Sequence, residues 1–254
     1  MRRLAPVLTV LVALLVTAPV LAGDFRAEQL RIPRVREAVT AKAPQVQAAF
    51  EAKGLPYPPK GVFIRVFKAD RELELWGARA DGTYALVRTY PICASSGGPG
   101  PKRREGDGQV PEGFYSISVF NPRSDYHLSL GIDYPNASDR VRGQKGDLGG
   151  AIMIHGHCVT IGCVPITDPM IEEVYIAGLE ARAGGQARIE AHFFPARLDD
   201  SGWERLRRAP GVTPDLVAFW SELKPGFDAF ERTHRPPAIT VERDGRYTVK
   251  ERVR

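Results

Sequence analysis

At Gly61 the apolar pattern of this chain changes period, and that switch limits its fold more than any other feature. Upstream, from Asp24 to Lys53, Val35, Val39, Val46 and Phe50 recur at helical spacing. Pro33 suits a helix start, and Pro44 is expected to kink or split the element. The run Gly54-Leu55-Pro56-Tyr57-Pro58-Pro59 is a stiff linker. Downstream, Val62, Ile64 and Val66 alternate with Phe63, Arg65 and Phe67, which reads as a strand with both faces partly covered. Further strands are expected at Glu72–Gly77, Tyr84–Ile92, Gly113–Phe120, Ala151–His155 and Arg188–Phe194. The 25 glycines and 21 prolines exceed the average share and argue for many turns and against an all-helical bundle.

One helix interrupts the strands. Thr167 or Asp168 can cap it, Pro169 suits its first turn, Glu172 and Glu173 favour its positive end, and Gly184-Gly185 stops it. From Ala196 the pattern is mixed: helical around Trp203 and Phe219-Trp220, then a strand candidate within Ile239–Val249. Between strands, Ser95–Gly113 is too long for a hairpin loop, and a long ordered loop in a compact domain is often functional. The reading is therefore a mainly β domain over 61–195, with a helical arm and linker over 24–60 and an α+β extension over 196–254.

The N-terminus reads as an export signal over residues 1–22. Arg2 and Arg3 precede an apolar run from Leu4 to Leu21, and Val20-Leu21-Ala22 places small residues at a cleavage site. An uncleaved membrane anchor is the alternative, and would be the only route to membrane attachment. The formal net charge is +5, two of it in that segment, and Lys and Arg are dispersed among nearly as many acids. No basic stripe or nucleic-acid-binding motif is present, so nucleic acid is not an expected partner. In an oxidising compartment the odd number of cysteines, Cys93, Cys158 and Cys163, leaves at least one unpaired within the chain.

The most distinctive stretch runs from Ile152 through His155-Gly156-His157-Cys158 to Thr160-Ile161-Gly162-Cys163. A thiol nucleophile needs a base nearby and backbone amides aimed at the developing oxyanion. His155 at a strand end and Cys163 on the returning loop can supply both, and Gly162 lets a substrate approach closely. His155, His157 and the cysteines also offer zinc-type donors, but their spacing fits no standard zinc pattern, and no metal or other cofactor is expected.

Thr160-Ile161-Gly162-Cys163, with Ile154-His155-Gly156 upstream and Pro111-Glu112-Gly113-Phe114-Tyr115 before it, resembles the L,D-transpeptidase (YkuD-type) catalytic domain family. Leu73-Glu74-Leu75-Trp76, Tyr90-Pro91-Ile92-Cys93, Gly100-Pro101-Lys102 and Tyr134-Pro135-Asn136 resemble its YafK-like murein transpeptidase branch. In the commoner family pattern a histidine stands where this chain has Ile161, and Arg or Asn where it has Pro165.

The resemblance implies a mainly β catalytic domain acting on peptidoglycan stem peptides in the periplasm or cell envelope, without a cofactor. Cys163 would be the nucleophile and His155 the general base and later acid. The carbonyl of Gly156 or a neighbour would orient the imidazole, and the amides of Ile161, Gly162 and Cys163 would hold the oxyanion. Lys102, Arg103, Arg104 and Arg140 would meet substrate carboxylates, and Glu105 or Asp107 its free amine. Cys93 and Cys158 would either pair, leaving Cys163 free, or be small buried apolar residues. The branch likeness implies hydrolytic release of an amine-linked protein or peptide, such as a peptidoglycan-linked lipoprotein. The alternatives are formation of 3-3 cross-links or attachment of protein to the wall. From another class, a wall-binding module with structural cysteines would show no fast-reacting thiol.

Overall fold

A computed structural model of the chain describes residues 22–252; the export signal read over 1–22 lies outside them except for Ala22. Six helices and ten strands are present among the described residues, so the fold is mixed α/β rather than mainly β. The excess of proline misleads here. Pro33, Pro169 and Pro214 open helices, where a missing N–H costs nothing, and Pro44 and Pro225 sit inside them.

Helix α1 (Ala22–Leu30) leads into α2 (Pro33–Glu51), and the break falls before Pro33, with α2 running through Pro44 unsplit. Strands β1 (Val62–Phe67), β2 (Glu72–Ala78), β3 (Tyr84–Pro91), β4 (Gly113–Asn121) and β5 (Ser129–Ile132) follow. After a short helix α3 (Ala137–Arg142) come β6 (Met153–His155), β7 (Val164–Pro165), helix α4 (Asp168–Ala183) and β8 (Ile189–Phe194). Helices α5 (Asp200–Arg207) and α6 (Pro214–Thr233) and a hairpin of β9 (Ala238–Val241) and β10 (Tyr247–Lys250) complete the chain. No helix among the described residues is long and apolar enough to cross a membrane.

Eight strands form one sheet in the order β3-β2-β1-β8-β4-β5-β6-β7, antiparallel except at β1/β8 and β6/β7. Its two faces bury different cores, which explains why all six residues of β1 are buried. Ile64, Val66, Ala191 and Phe193 pack with Val35 and Phe50 of α2 and with Ile171 and Tyr175 of α4. Phe67, Phe114 and Phe194 pack on the opposite face with Trp220, Leu223 and Phe227 of α6. Arg65 is buried among those aromatic rings and pairs with Glu74 and Glu231.

The two outer strands of the sheet meet again. Cys93, just past β3, donates its amide to the carbonyl of Pro165 in β7 at 3.1 Å, and a Cys93–Cys158 disulfide joins the same two regions. The sheet therefore curls back on itself, and the seam lies beside the loop from His155 to Cys163.

Candidate active site

Strands β6 and β7 are short, and their pairing sets the site. Ile154 pairs with Val164, and both side chains are buried in the main core. Because side chains alternate along a strand, the adjacent residues His155 and Cys163 both point to the opposite face. His155 is buried, while Cys163 is free and half-exposed. Their rings and sulfur share no direct hydrogen bond in this structure, as is common before substrate arrives.

The imidazole is fixed from two sides. Its Nδ1 faces the Gly156 carbonyl, which can only accept, so Nδ1 carries the proton and Nε2 is left with a lone pair. The Tyr126 ring lies over it with centroids 4.8 Å apart. Burial lowers the His155 pKa below its ordinary 6.5, with the nearby His157 acting in the same direction and the Gly156 hydrogen bond opposing. Burial also pushes the Cys163 thiol up from its ordinary 9.0, against the Met153 amide and the charge of Lys102. At neutral pH both groups are therefore uncharged, a thiol and an imidazole whose Nε2 carries a free lone pair.

This makes a pH prediction. A base must be unprotonated to work, so kcat/KM should stay high through pH 6.5 and fall only below it. Alkylation of free Cys163 should accelerate as the pH rises past 9. An acidic limb centred above 6.5 in a pH–rate profile would contradict the neutral-imidazole assignment.

The turn that carries Cys163 is built by Thr160, whose Oγ1 accepts from the Gly162 amide at 3.1 Å and donates to the Cys163 carbonyl at 2.8 Å. The Gly162 amide, expected in the oxyanion set, is therefore committed, and the amides of Ile161 and Cys163 are the ones without an intramolecular acceptor. Gly162 adopts φ +135°, and a Cβ there would lie 3.0 Å from the Gln109 carbonyl oxygen. Gly162→Ala should consequently lower turnover about 10- to 100-fold, from ~1–3 kcal/mol of strain placed at the thiol, while the melting temperature changes little. Wild-type turnover in that variant would mean that the turn is not needed in this shape.

The remaining expected residues are dispersed. Lys102 is buried, and its Nζ donates to the Arg104 carbonyl at 2.8 Å and to Asp107 at 2.9 Å. Asp107 also accepts the amides of Arg103, Arg104 and Gln109, and these bonds outweigh its burial and hold its carboxyl below the usual range. The Lys102–Asp107 pair thus folds the Ser95–Gly113 loop whose Gln109 carbonyl abuts Gly162. Arg103 pairs with Asp139, and Glu105 is exposed. Arg140 is exposed on α3 and lines a separate cavity that includes neither His155 nor Cys163.

Three supports escaped the sequence reading. Tyr126 arrives from the β4–β5 turn, with no local signal to mark it. Gln109 meets the nucleophile turn from a distant loop. Asp168, at the start of α4, accepts the His157 amide at 2.8 Å and packs so closely that a Cβ on Gly156 would sit 2.4 Å from its Oδ1. The zinc alternative loses Cys158 to the disulfide, and His157 turns away from the strand at φ +57°.

A family model and a relative protein agree on the family. Residues 61–179 match the YkuD L,D-transpeptidase catalytic domain. The chain is 39% identical over 190 residues to "Putative L,D-transpeptidase YafK" of Escherichia coli K12, spanning 74% of this chain and 73% of that one. Among solved structures, the helical cell shape determining protein Pgp2 of Campylobacter jejuni aligns at 24% identity and TM-score 0.43, over 54% of this chain and 48% of that one. Bd1075 of Bdellovibrio bacteriovorus aligns at 19% and 0.39, over 69% and 61%. With its histidine at the end of β6 and its free thiol just before β7, both inside the matched segment, this chain belongs to the L,D-transpeptidase family, whose enzymes act on peptidoglycan in the cell envelope.

Proposed function

We propose that Cys163 attacks the carbonyl on the L-centre of meso-diaminopimelate in a stem peptide, and that water takes the acyl group. His155 Nε2 removes the thiol proton as the C–S bond forms. The amides of Ile161 and Cys163 hold the oxyanion, and the C–N bond breaks as His155 returns the proton to the departing amine. A water molecule, deprotonated by the same nitrogen, then cleaves the thioester and leaves a carboxylate and the free thiol. The net reaction is hydrolytic release of an amine-linked peptide or protein. A peptidoglycan-linked lipoprotein fits that description.

The observation that carries the choice of water is the commitment of Asp107. An acceptor ammonium needs an anion beside the thioester to dock it before water reacts. Of the two carboxylates expected to meet an amine, Asp107 is saturated by four donors of its own loop, and Glu105 stands exposed to solvent with no side-chain bond among the described residues to fix it. On the nucleophile loop, Val159 and Ile161 offer apolar surface instead, Ile161 being 89% exposed. We further propose that residues 1–22 export the chain, that 24–60 form an arm, and that 61–195 carry the chemistry with 196–254 as an extension.

The test incubates the enzyme separately with tetrapeptide muropeptides and with sacculi bearing covalently linked lipoprotein, both read by mass spectrometry. Released protein ending in a free amine, with few muropeptide dimers, is the expected result. Efficient 3-3 dimer formation with no released protein would assign transpeptidation instead.

A further inference from the structure

The C-terminal extension lies beyond the matched segment, yet its helix α6 packs onto the Ser95–Gly113 loop that supports the turn carrying Cys163. The two meet near both ends of the loop and in between. Leu216 covers Gly100 so closely that a Cβ there would lie 2.9 Å from its Cδ2. The Phe219 ring faces the Arg103 guanidinium at 4.9 Å. Trp220, fully buried, donates its Nε1–H to Glu112 Oε2 at 2.7 Å. Glu112 is 0% exposed as well, and its other oxygen lies 3.3 Å from Lys68 Nζ.

Lys68 is where these contacts converge. It directly follows β1, and its amide donates to the Phe194 carbonyl of β8 at 3.0 Å, so the side chain is rooted in the middle of the sheet. Its ammonium has three N–H donors. Around it stand the carbonyls of Gly100 at 2.6 Å and Val110 at 3.3 Å, the Glu112 carboxylate, and Gln109 Oε1 at 3.1 Å. Gln109 Oε1 also accepts from the Gly98 amide at 3.2 Å. The backbone carbonyl of the same Gln109 is the group that a Cβ on Gly162 would approach to 3.0 Å. A continuous path thus runs from Trp220 through Glu112, Lys68 and Gln109 to Gly162. A buried ionic network whose members all have partners holds one geometry, and removing a partner strands a charge. The sulfur itself bonds to Met153 and Ala151, so the path reaches the thiol chemistry through the backbone of the turn.

We propose that Lys68 and Trp220 are positioning residues for the turn that carries Cys163. Through Gln109 they brace Gly162, and with it the Cys163 amide that receives the oxyanion. This rests on Cys163 as the nucleophile and is indifferent to whether water or an amine takes the acyl group. Loosening the brace acts on the charge that develops on the carbonyl oxygen, and leaves the access of a small reagent to the thiol as it was.

The test is the single-turnover rate of acyl-adduct formation by the full chain, read by intact mass, from a stem peptide amide-linked to a peptide amine. Lys68→Met should lower the maximal rate about 10- to 100-fold, the cost of misplacing a reacting group by about an ångström, with the half-saturating concentration unchanged. Alkylation of Cys163 by iodoacetamide develops no oxyanion and should keep its parent rate. Gly162→Ala acts on the same contact, so adding it to Lys68→Met should lower the rate little beyond the stronger single change. Trp220→Phe keeps the buried ring and deletes one N–H, so it carries the same test if Lys68→Met fails to fold. Its maximal rate should fall about 5- to 30-fold, the scale on which members of a packed network modulate a distant site. Parent adduct rates in Trp220→Phe, alkylation slowed in step with acylation, or multiplied effects in the double variant would overturn the proposal. Cys163→Ser separates the two readings. An adduct formed by that variant would remove the nucleophile itself, whereas no adduct there beside parent rates in Trp220→Phe would remove the brace alone.

Discussion

Cys163→Ser should reduce turnover by about 10⁴-fold or more while the protein stays folded, because the change removes the nucleophile and little else. The side chain is half-exposed and its only bonds are weak sulfur contacts to Met153 and Ala151, which an oxygen can replace. His155→Ala should cost about 10²–10⁴-fold, the usual worth of a positioned base. The measurement is an intact-mass assay for the acyl adduct, with melting recorded alongside. Adduct formation at an unchanged rate in Cys163→Ser would remove that residue from the mechanism. Loss of folding in the same variant would instead give the thiol a structural part.

The second large effect concerns the seam of the curled sheet. Cys93 and Cys158 are separated by 65 positions, and their bond holds the outer strands of the sheet together beside the nucleophile turn. By chain entropy, a closed loop of that length stabilises the fold by about 4 kcal/mol. In a protein of this size the loss corresponds to a fall in Tm of roughly 10 °C. The Cys93→Ala/Cys158→Ala double variant should show that fall, and activity should decline with it, because Cys158 lies within the loop linking His155 to Cys163. The double variant leaves Cys163 untouched, so calorimetry and alkylation of the remaining thiol are read on the same sample. Equal melting of variant and parent would show that the Cys93–Pro165 hydrogen bond and the core close the seam without the covalent link.

Local chemistry was legible wherever it rests on neighbours in the chain. The period switch at Gly61, the alternation of β1 and the Pro169 and Gly184 signals of α4 each report on one element, and each element is present. That His155 and Cys163 lie on neighbouring elements was legible because only a short loop separates them. Element lengths and the helix count were not. The break before Pro33 rather than at Pro44, and strands as short as β5 and β7, depend on what packs against them. A two-residue strand has no periodicity to read.

The sequence by itself determined the chemical inventory: a strand-end histidine, a glycine-preceded thiol, an odd cysteine count and a family resemblance carried by motifs spread from 61 to 195. Tertiary structure decided how that inventory is spent. It paired Cys93 with Cys158 by curling the sheet until its outer strands met, and it turned Lys102 and Asp107 into a brace for their own loop. It also moved Arg140 away from the thiol to a cavity made by the hairpin, and set Tyr126 over His155. These outcomes share one physical reason. A charged or aromatic side chain has several partners within reach of its chemistry, and only the packing of distant strands determines which of them lies within bonding distance.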